Sequence, residues 1–268
     1  MRPSDTELSI PTSAAQAVEA FGDGRGVTVF AGGTILMPEL AHRRFPKGGR
    51  TLMLSRAGLE EISGERTVRV GAMTRLSAAA DSGIEPLAAA AGEVADYEIR
   101  AQATVGGNLC APPAPESPRG DLQAALLALG ARVHCAGAEG ERTESVDEFL
   151  AREAGDPRLV LSIEFERARR AAYLSQRRRH AHSYAVMAVA CAESDDGVRV
   201  AAAGVGPGAV RLQAVERALA DGGGAPEAAR QAVDGLEPPD DALASSWYRR
   251  QVLPTLVRRA LEQLQGGR

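Results

Sequence analysis

The feature that most constrains this chain is a pair of glycine-rich turns. One, Ala31-Gly32-Gly33-Thr34, follows directly on the apolar run Val27-Thr28-Val29-Phe30. The other, Thr104-Val105-Gly106-Gly107-Asn108, leads through a proline-rich detour to Gly120-Asp121-Leu122. Glycine suits such turns because a Cβ would block both positive φ values and the close approach of a ligand. Successive backbone N–H groups can then point into one concavity, where an anionic phosphate can sit. After the first turn, Ile35, Leu36, Met37 and Leu40 start a helix with Pro38 in its first turn. Strand, glycine turn and helix N-terminus together form a phosphate-binding arrangement. Two such turns facing one another would cradle a pyrophosphate from both sides, and a carboxylate at Asp121 could accept hydrogen bonds from a ribose. Taken alone, two adjacent glycines after a strand are more often a plain tight turn.

The remaining pattern mixes helices and strands. Pro11 to Phe21 is expected to be helical, capped by Thr12-Ser13, with Ala14, Ala17, Val18 and Phe21 on one apolar side. Strands are expected at Thr51–Leu54, Thr67–Val70, Ala131–Cys135 and Leu159–Phe165, with a hairpin turn at Ser63-Gly64-Glu65. An alanine-rich helix capped by Thr74 should begin at Leu76, with helical sequence continuing through Leu87 to Ala95. Leu122–Leu129 reads as a buried helix and Ser145–Leu150 as a short one. Charge is dense and periodicity is lost from Arg167 to Ala172, which places a boundary there. Beyond it, Ser183–Ala192 and Val198–Gly204 read as strands joined at Asp195-Asp196-Gly197. Leu212–Leu219, Ala225–Val233 and Trp247–Gln265 read as helices, the last with a kink expected at Pro254. Gly22-Asp23-Gly24-Arg25-Gly26 follows a helix and precedes a strand, the reverse of a dinucleotide fingerprint, so it is a turn. Gly204-Val205-Gly206-Pro207-Gly208 fails the same test and reads as a loop that ends a strand.

Chemistry outside the two turns is sparse. His42, His134, His180 and His182 stand in no metal-binding spacing with a carboxylate motif, and no nucleophile elbow is visible. His180 and His182 would share one face of a strand, which suits a solvated or bonded pair better than a metal site. Lys47, the only lysine, lies in a loop-like setting, which disfavours a catalytic lysine. Arg177-Arg178-Arg179 could meet phosphate, although such runs are usually solvated faces or partner contacts. Cys110, Cys135 and Cys191 are isolated, so the chain cannot itself ligate an iron–sulfur cluster or a structural zinc. Unpaired cysteines suit a reducing compartment, and the cytoplasm is the expected location. A net charge of −4 gives no basic excess for nucleic acid, and no apolar run is long enough to cross a bilayer. The N-terminus does not read as a signal peptide. No residue reads as catalytic; the chain reads as a cofactor holder, with the chemistry carried by the bound group.

Ala31-Gly32-Gly33-Thr34, Ile99-Arg100-Ala101-Gln102-Ala103 leading into Thr104–Asn108, and Asp121-Leu122 before Ala125-Leu126-Leu127-Ala128-Leu129 resemble one known family. So does the tail, from Tyr248-Arg249-Arg250 to Arg258-Arg259-Ala260-Leu261. The family is that of the FAD-binding (medium) subunits of molybdenum hydroxylases, including carbon monoxide dehydrogenase and xanthine dehydrogenase-like enzymes. The resemblance covers nearly the whole chain. It implies an α+β fold: a two-subdomain FAD-binding domain of the vanillyl-alcohol-oxidase (PCMH) type, then a small α+β C-terminal domain. The corresponding boundaries are 1–167, divided into about 1–55 and 56–167, and 168–268.

By this resemblance Ala31, Gly32, Gly33, Thr34 and Ile35, with Thr104, Val105, Gly106, Gly107 and Asn108, hold the pyrophosphate region through backbone N–H groups and hydroxyls. Asp121 binds the adenosine end, Val160 gives an apolar contact, and Tyr184 stands beside the isoalloxazine ring. Val160 and Tyr184 read equally well as core packing. Ser183 stands where the family often has an acidic residue, and Ala111–Gly120 is longer and richer in proline than usual. Relatives with covalently attached flavin use a histidine or cysteine near these loops; only Cys110 is close, so FAD is expected to be non-covalent. The implied role is an FAD-binding electron-transfer subunit of an oxidoreductase. It would accept electrons from a [2Fe-2S] small subunit and pass them to a terminal acceptor, with molybdopterin on a large subunit and a dimer of heterotrimers overall. A self-contained FAD-dependent reductase or oxidase, and an assembly subunit that has lost FAD, are the rival readings.

Overall fold

The computed structural model of the chain describes residues 7–42, 49–111, 120–153, 155–178 and 184–266. Lys47, Arg179, the His180–His182 pair, Ser183 and most of the proline-rich segment lie outside the described residues.

Three sheets follow one another along the chain. The first holds β1 (Glu7–Ser9), β2 (Val27–Phe30) and β3 (Arg50–Met53), paired in parallel in the order β1-β3-β2, with helices α1 (Ala14–Phe21) and α2 (Leu36–Ala41) between strands. Helix α1 forms as expected: the Ser13 hydroxyl caps it by accepting from the Gln16 N–H, and Ala17 and Phe21 are buried. Strand β1 is three residues long and carries no readable pattern, which is why the sequence did not reveal it.

The second sheet is antiparallel, in the order β4-β5-β8-β6-β7. Its strands are β4 (Ile62–Ser63), β5 (Thr67–Gly71), β6 (Arg132–Gly137), β7 (Gly140–Ser145) and β8 (Leu159–Glu166). Between β5 and β6 run α3 (Leu76–Ala80), α4 (Leu87–Gly92), α5 (Tyr97–Arg100), α6 (Val105–Leu109) and α7 (Gln123–Ala128); α8 (Val146–Ala151) joins β7 to β8. The alanine-rich stretch is therefore not one helix. Gly83 at φ +65° and Pro86, which has no N–H, break it, and the Ser82 hydroxyl accepts from the Ile84 N–H across the break. Nor does Thr74 cap α3: Arg75 holds that position, and the Thr74 hydroxyl donates to the Glu60 carbonyl at 3.2 Å. Helix α8 does start as expected, with a reciprocal capping box between Ser145 and Glu148.

The third sheet, β12-β11-β10-β9, is also antiparallel. It comprises β9 (Arg170–Gln176), β10 (Met187–Ser194), β11 (Gly197–Ala203) and β12 (Val210–Arg211). Helices α9 (Gln213–Ala220), α10 (Ala225–Ala229) and α11 (Ser246–Gly266) follow, and α11 runs on through Pro254. Strand β9 begins inside the stretch where periodicity fails. Its charge is explained by position: at the sheet edge, Arg170 Nε donates to the Glu193 carboxylate on β10 at 2.7 Å.

Side chains alternate across β10 and β11. Ala188, Ala190, Ala192, Ala201 and Ala203 join the core that contains α7, every residue of which is buried. Val189, Cys191, Val200 and Ala202 face the other way, into a core with Leu253, Val257, Ala260 and Leu261 of α11. Small side chains let α7 lie close to the sheet. The third sheet is thereby packed directly against the helical layer that carries the second glycine turn.

Candidate functional site

The first glycine turn leaves the sheet at Phe30, whose carbonyl accepts from the Leu54 N–H at 2.9 Å. Gly33 has φ +74°, a conformation that a side chain would strain. Gly32 meets a different constraint: a Cβ there would strike the Gln102 carbonyl oxygen and come within 3.0 Å of Ala103 Cα. It is where the two turns touch. The Met37 N–H donates to the Gly33 carbonyl at 2.8 Å and opens α2. Among the described residues, the N–H groups of Gly32, Gly33, Thr34 and Ile35 have no acceptor within the protein. Four donors on one short stretch are thus available to an anion.

The second turn behaves differently, and here the structure corrects the expectation of a double N–H cradle. Thr104–Asn108 is the start of α6, and its N–H groups are engaged. Val105 donates to the Thr74 carbonyl at 2.9 Å and Gly106 to the Ala72 carbonyl at 2.8 Å. Gly107 donates to Thr104 Oγ1 at 3.1 Å and Asn108 to the Thr104 carbonyl at 2.9 Å. The threonine is an N-cap. Gly106 is needed for close packing, because a Cβ would lie 2.9 Å from the Ala72 oxygen. Gly107 is half-buried, and a Cβ there would lie 4.0 Å from Ala31 Cβ on the opposite turn. Val105 does not face this space at all. Its side chain is fully buried in the core and its N–H is engaged, so it is removed from the set of contact candidates. What the second turn can still offer is the Thr104 O–H, since the oxygen accepts from Gly107 while its proton stays free to donate.

The other anticipated residues, Ala31, Gly32, Gly33, Thr34, Ile35, Thr104, Gly106, Gly107, Asn108, Asp121, Val160 and Tyr184, all line one open cavity of about 420 Å³. Its walls come from all three sheets' neighbourhoods: Phe21 and Leu54 from the first, Met73, Ile99 and Leu159 from the second, and Tyr184 just before β10. Asn108 is a strut for the polar part. Its Oδ1 accepts from the Leu122 N–H at 2.9 Å, and its Nδ2 donates to Asp121 Oδ2 at 3.3 Å. Burial pushes the Asp121 carboxyl up to about 6, against the opposing pull of the Asn108 amide and the Arg177 guanidinium. Val160 is 5% exposed and Tyr184 42% exposed, so Val160 is core that also forms wall, whereas the Tyr184 ring stands free at the rim.

Two arginines in the cavity wall were not anticipated. Arg158 is clamped by both carboxylate oxygens of Asp156. Arg152 follows α8, stacks over the Phe149 ring at 3.8 Å from its centroid, and donates to the Phe149 carbonyl. In sequence, a charged residue after a short amphipathic helix looks like ordinary solvated surface, so nothing pointed to it.

A largely apolar cavity lined by unengaged N–H donors, a carboxylate and an exposed aromatic ring suits an anionic ligand with aromatic parts. Residues 4–165 match the family described as the FAD binding domain in molybdopterin dehydrogenase, and residues 170–264 match the CO dehydrogenase flavoprotein C-terminal domain. The chain belongs to this family of FAD-binding oxidoreductase domains. It is 28% identical to the 6-hydroxypseudooxynicotine dehydrogenase complex subunit alpha of Paenarthrobacter nicotinovorans, covering 97% of this chain and 95% of that one. It is 31% identical to YgfM of Escherichia coli (strain K12), over 71% of this chain and 70% of that protein. Its fold superposes on a chain of the carbon monoxide dehydrogenase of Hydrogenophaga pseudoflava with a TM-score of 0.82, 26% identity and 99% coverage of both. No helix among the described residues is long and apolar enough to cross a membrane.

Proposed function

We propose that this chain is the electron-transfer flavoprotein subunit of a molybdenum hydroxylase-type dehydrogenase, holding FAD non-covalently and working in the cytoplasm. The observation that carries the proposal is the row of four unengaged N–H groups from Gly32 to Ile35, set against the Thr104 hydroxyl across the cavity. These would hold the diphosphate. The Asp121 carboxylate would accept from a ribose hydroxyl, Val160 would pack on a ring face, and Tyr184 would flank the isoalloxazine. The bound flavin supplies the coupling between one-electron and two-electron carriers. The chain's residues bind, orient and shield it, and none needs to move a proton. Electrons would arrive from a [2Fe-2S] small subunit, because Cys135 and Cys191 sit in separate hydrophobic cores and Cys110 is exposed away from both. Molybdopterin would reside on a large subunit, with a dimer of heterotrimers as the assembly. That the Paenarthrobacter relative is a subunit of a dehydrogenase complex supports this reading.

The test is a titration of the purified chain with FAD and, separately, FMN, read by flavin absorbance and fluorescence. Saturable binding of FAD but not FMN is expected, since only FAD carries the adenosine half. Failure of a folded sample to bind FAD, alone or with its partner chains, would overturn the proposal. Copurification of one large and one small chain with the subunit tests the assembly.

A further inference from the structure

The engaged N–H groups of the second turn leave a charge problem. A diphosphate seated between the turns would be met by N–H donors from one side only, because Val105, Gly106, Gly107 and Asn108 all donate within the protein. Partial charges from four peptide dipoles do not neutralise two formal negative charges in a half-buried slot. Among the described residues, two cationic side chains line the cavity. Arg158 is already neutralised by the bidentate carboxylate of Asp156, and its side chain is 5% exposed. Arg152 is half-buried and, among the described residues, has no carboxylate partner; its polar contact is one donated hydrogen bond to the Phe149 carbonyl. That bond and the stack on the Phe149 ring fix the guanidinium while leaving its other N–H groups free.

We infer that Arg152 is the counter-charge for the anionic part of the ligand in this cavity: its guanidinium receives the diphosphate from the side where the second glycine turn presents no free N–H. This rests on the dinucleotide reading above and deepens it. The arrangement is asymmetric, with backbone donors from Gly32–Ile35 on one side and a single fixed arginine on the other. Planar, multidentate donation is what a phosphate oxygen pair is best met by.

The experiment compares the parent chain with Arg152→Gln and Arg152→Lys, titrating each with FAD at low and at high salt, after thermal melts show that all three fold. Removing a hydrogen-bonded charge should weaken FAD binding by about 10- to 100-fold in Arg152→Gln. Arg152→Lys should recover a substantial part of that loss, because it keeps the charge. The salt dependence of FAD affinity should be shallower in Arg152→Gln than in the parent. A merely structural arginine would lower the melting temperature and would be replaced no better by lysine than by glutamine, with the salt dependence unchanged. FAD affinity within twofold of the parent in Arg152→Gln, or equal loss in both variants, overturns the inference and leaves the dinucleotide reading intact. A parent chain that does not bind FAD overturns both.

Discussion

Gly32→Ala is the sharpest test of how the two turns are held together. A Cβ at this position meets backbone: the Gln102 carbonyl oxygen first, then its carbon at 2.9 Å and Ala103 Cα at 3.0 Å. Ordinary contact begins near 3.4 Å, and because the Gln102 oxygen is the tightest contact, the turns must part by about an ångström or more. Neither side gives easily, because the Gln102 carbonyl also accepts from Arg75 Nη1 at 2.5 Å and the Ala103 carbonyl from the Leu76 N–H at 2.9 Å. Overpacking of this kind costs about 1–3 kcal/mol. For a chain of this size that corresponds to a melting temperature lower by roughly 2–12 °C. The Gly32 and Gly33 N–H groups move with the turn, and loss of one hydrogen bond to a charged phosphate weakens FAD binding by about 10- to 100-fold. Gly107→Ala is the matched control, since its Cβ meets a side-chain hydroxyl, Thr104 Oγ1, at 2.9 Å and no backbone atom within 4 Å. It should fall less in both measurements. If differential scanning fluorimetry and FAD titration show Gly32→Ala within error of the parent, or less affected than Gly107→Ala, the close approach of the turns is wrong.

Asp121 gives a pH signature. If its ionised form accepts from the ribose, FAD affinity should rise with pH up to about 6 and be flat above it, and Asp121→Asn should abolish the slope. The same raised carboxyl makes the ligand-free chain lose stability as pH rises between about 4, where the unfolded carboxyl ionises, and about 6, with nothing further lost above. Arg249 is fully buried on α11 and donates to the carbonyls of Val186 at 2.9 Å and Gly204 at 2.5 Å and to Asp241 at 2.6 Å. Arg249→Met should destabilise by about 3–5 kcal/mol in denaturant unfolding, because it strands Asp241 and two strand-end carbonyls together. Thr104→Val removes the α6 cap and should cost about 0.5–2 kcal/mol in stability, with a further loss of FAD affinity that Thr104→Ser would largely restore.

The parts of the fold legible in the sequence were those with one clear periodicity. Helix α1, strands β2, β5 and β8, and the short helix α8 all announce themselves by spacing or by a capping residue. The strands that went unread lie at sheet edges, and the short helices α5 and α6 went unread as well. In β7, Gly140–Ser145, an exposed charged run has no apolar alternation, because most of its side chains face water. In β9 the charge that looked like a linker is a cross-strand pair with Glu193, a contact visible only once β10 is known to lie beside it. Alanine propensity across residues 76–95 favours one helix, but Gly83 and Pro86 break it into α3 and α4.

The site shows the same division more sharply. That Ala31–Ile35, Thr104, Gly106, Gly107, Asn108 and Asp121 belong together was legible, because glycine pairs mark backbone approach and a carboxylate at that distance marks a polar partner. Which of the two turns offers its N–H groups was not legible. Both carry two adjacent glycines, but those groups are settled by tertiary neighbours: Thr74 and Ala72 carbonyls take the donors of Val105 and Gly106, while nothing comparable among the described residues reaches Gly32–Ile35. Identical local chemistry thus yields a donor row on one side and a packing surface on the other. The glycines of the second turn serve proximity, since Gly106 lets α6 sit on Ala72 and Gly107 keeps clear the gap that faces Ala31. A sequence rule that equates every glycine pair with an anion nest counts such a site twice. The electrostatic half it leaves unassigned falls to a residue with no motif, Arg152, which lines the cavity and forms no ion pair among the described residues.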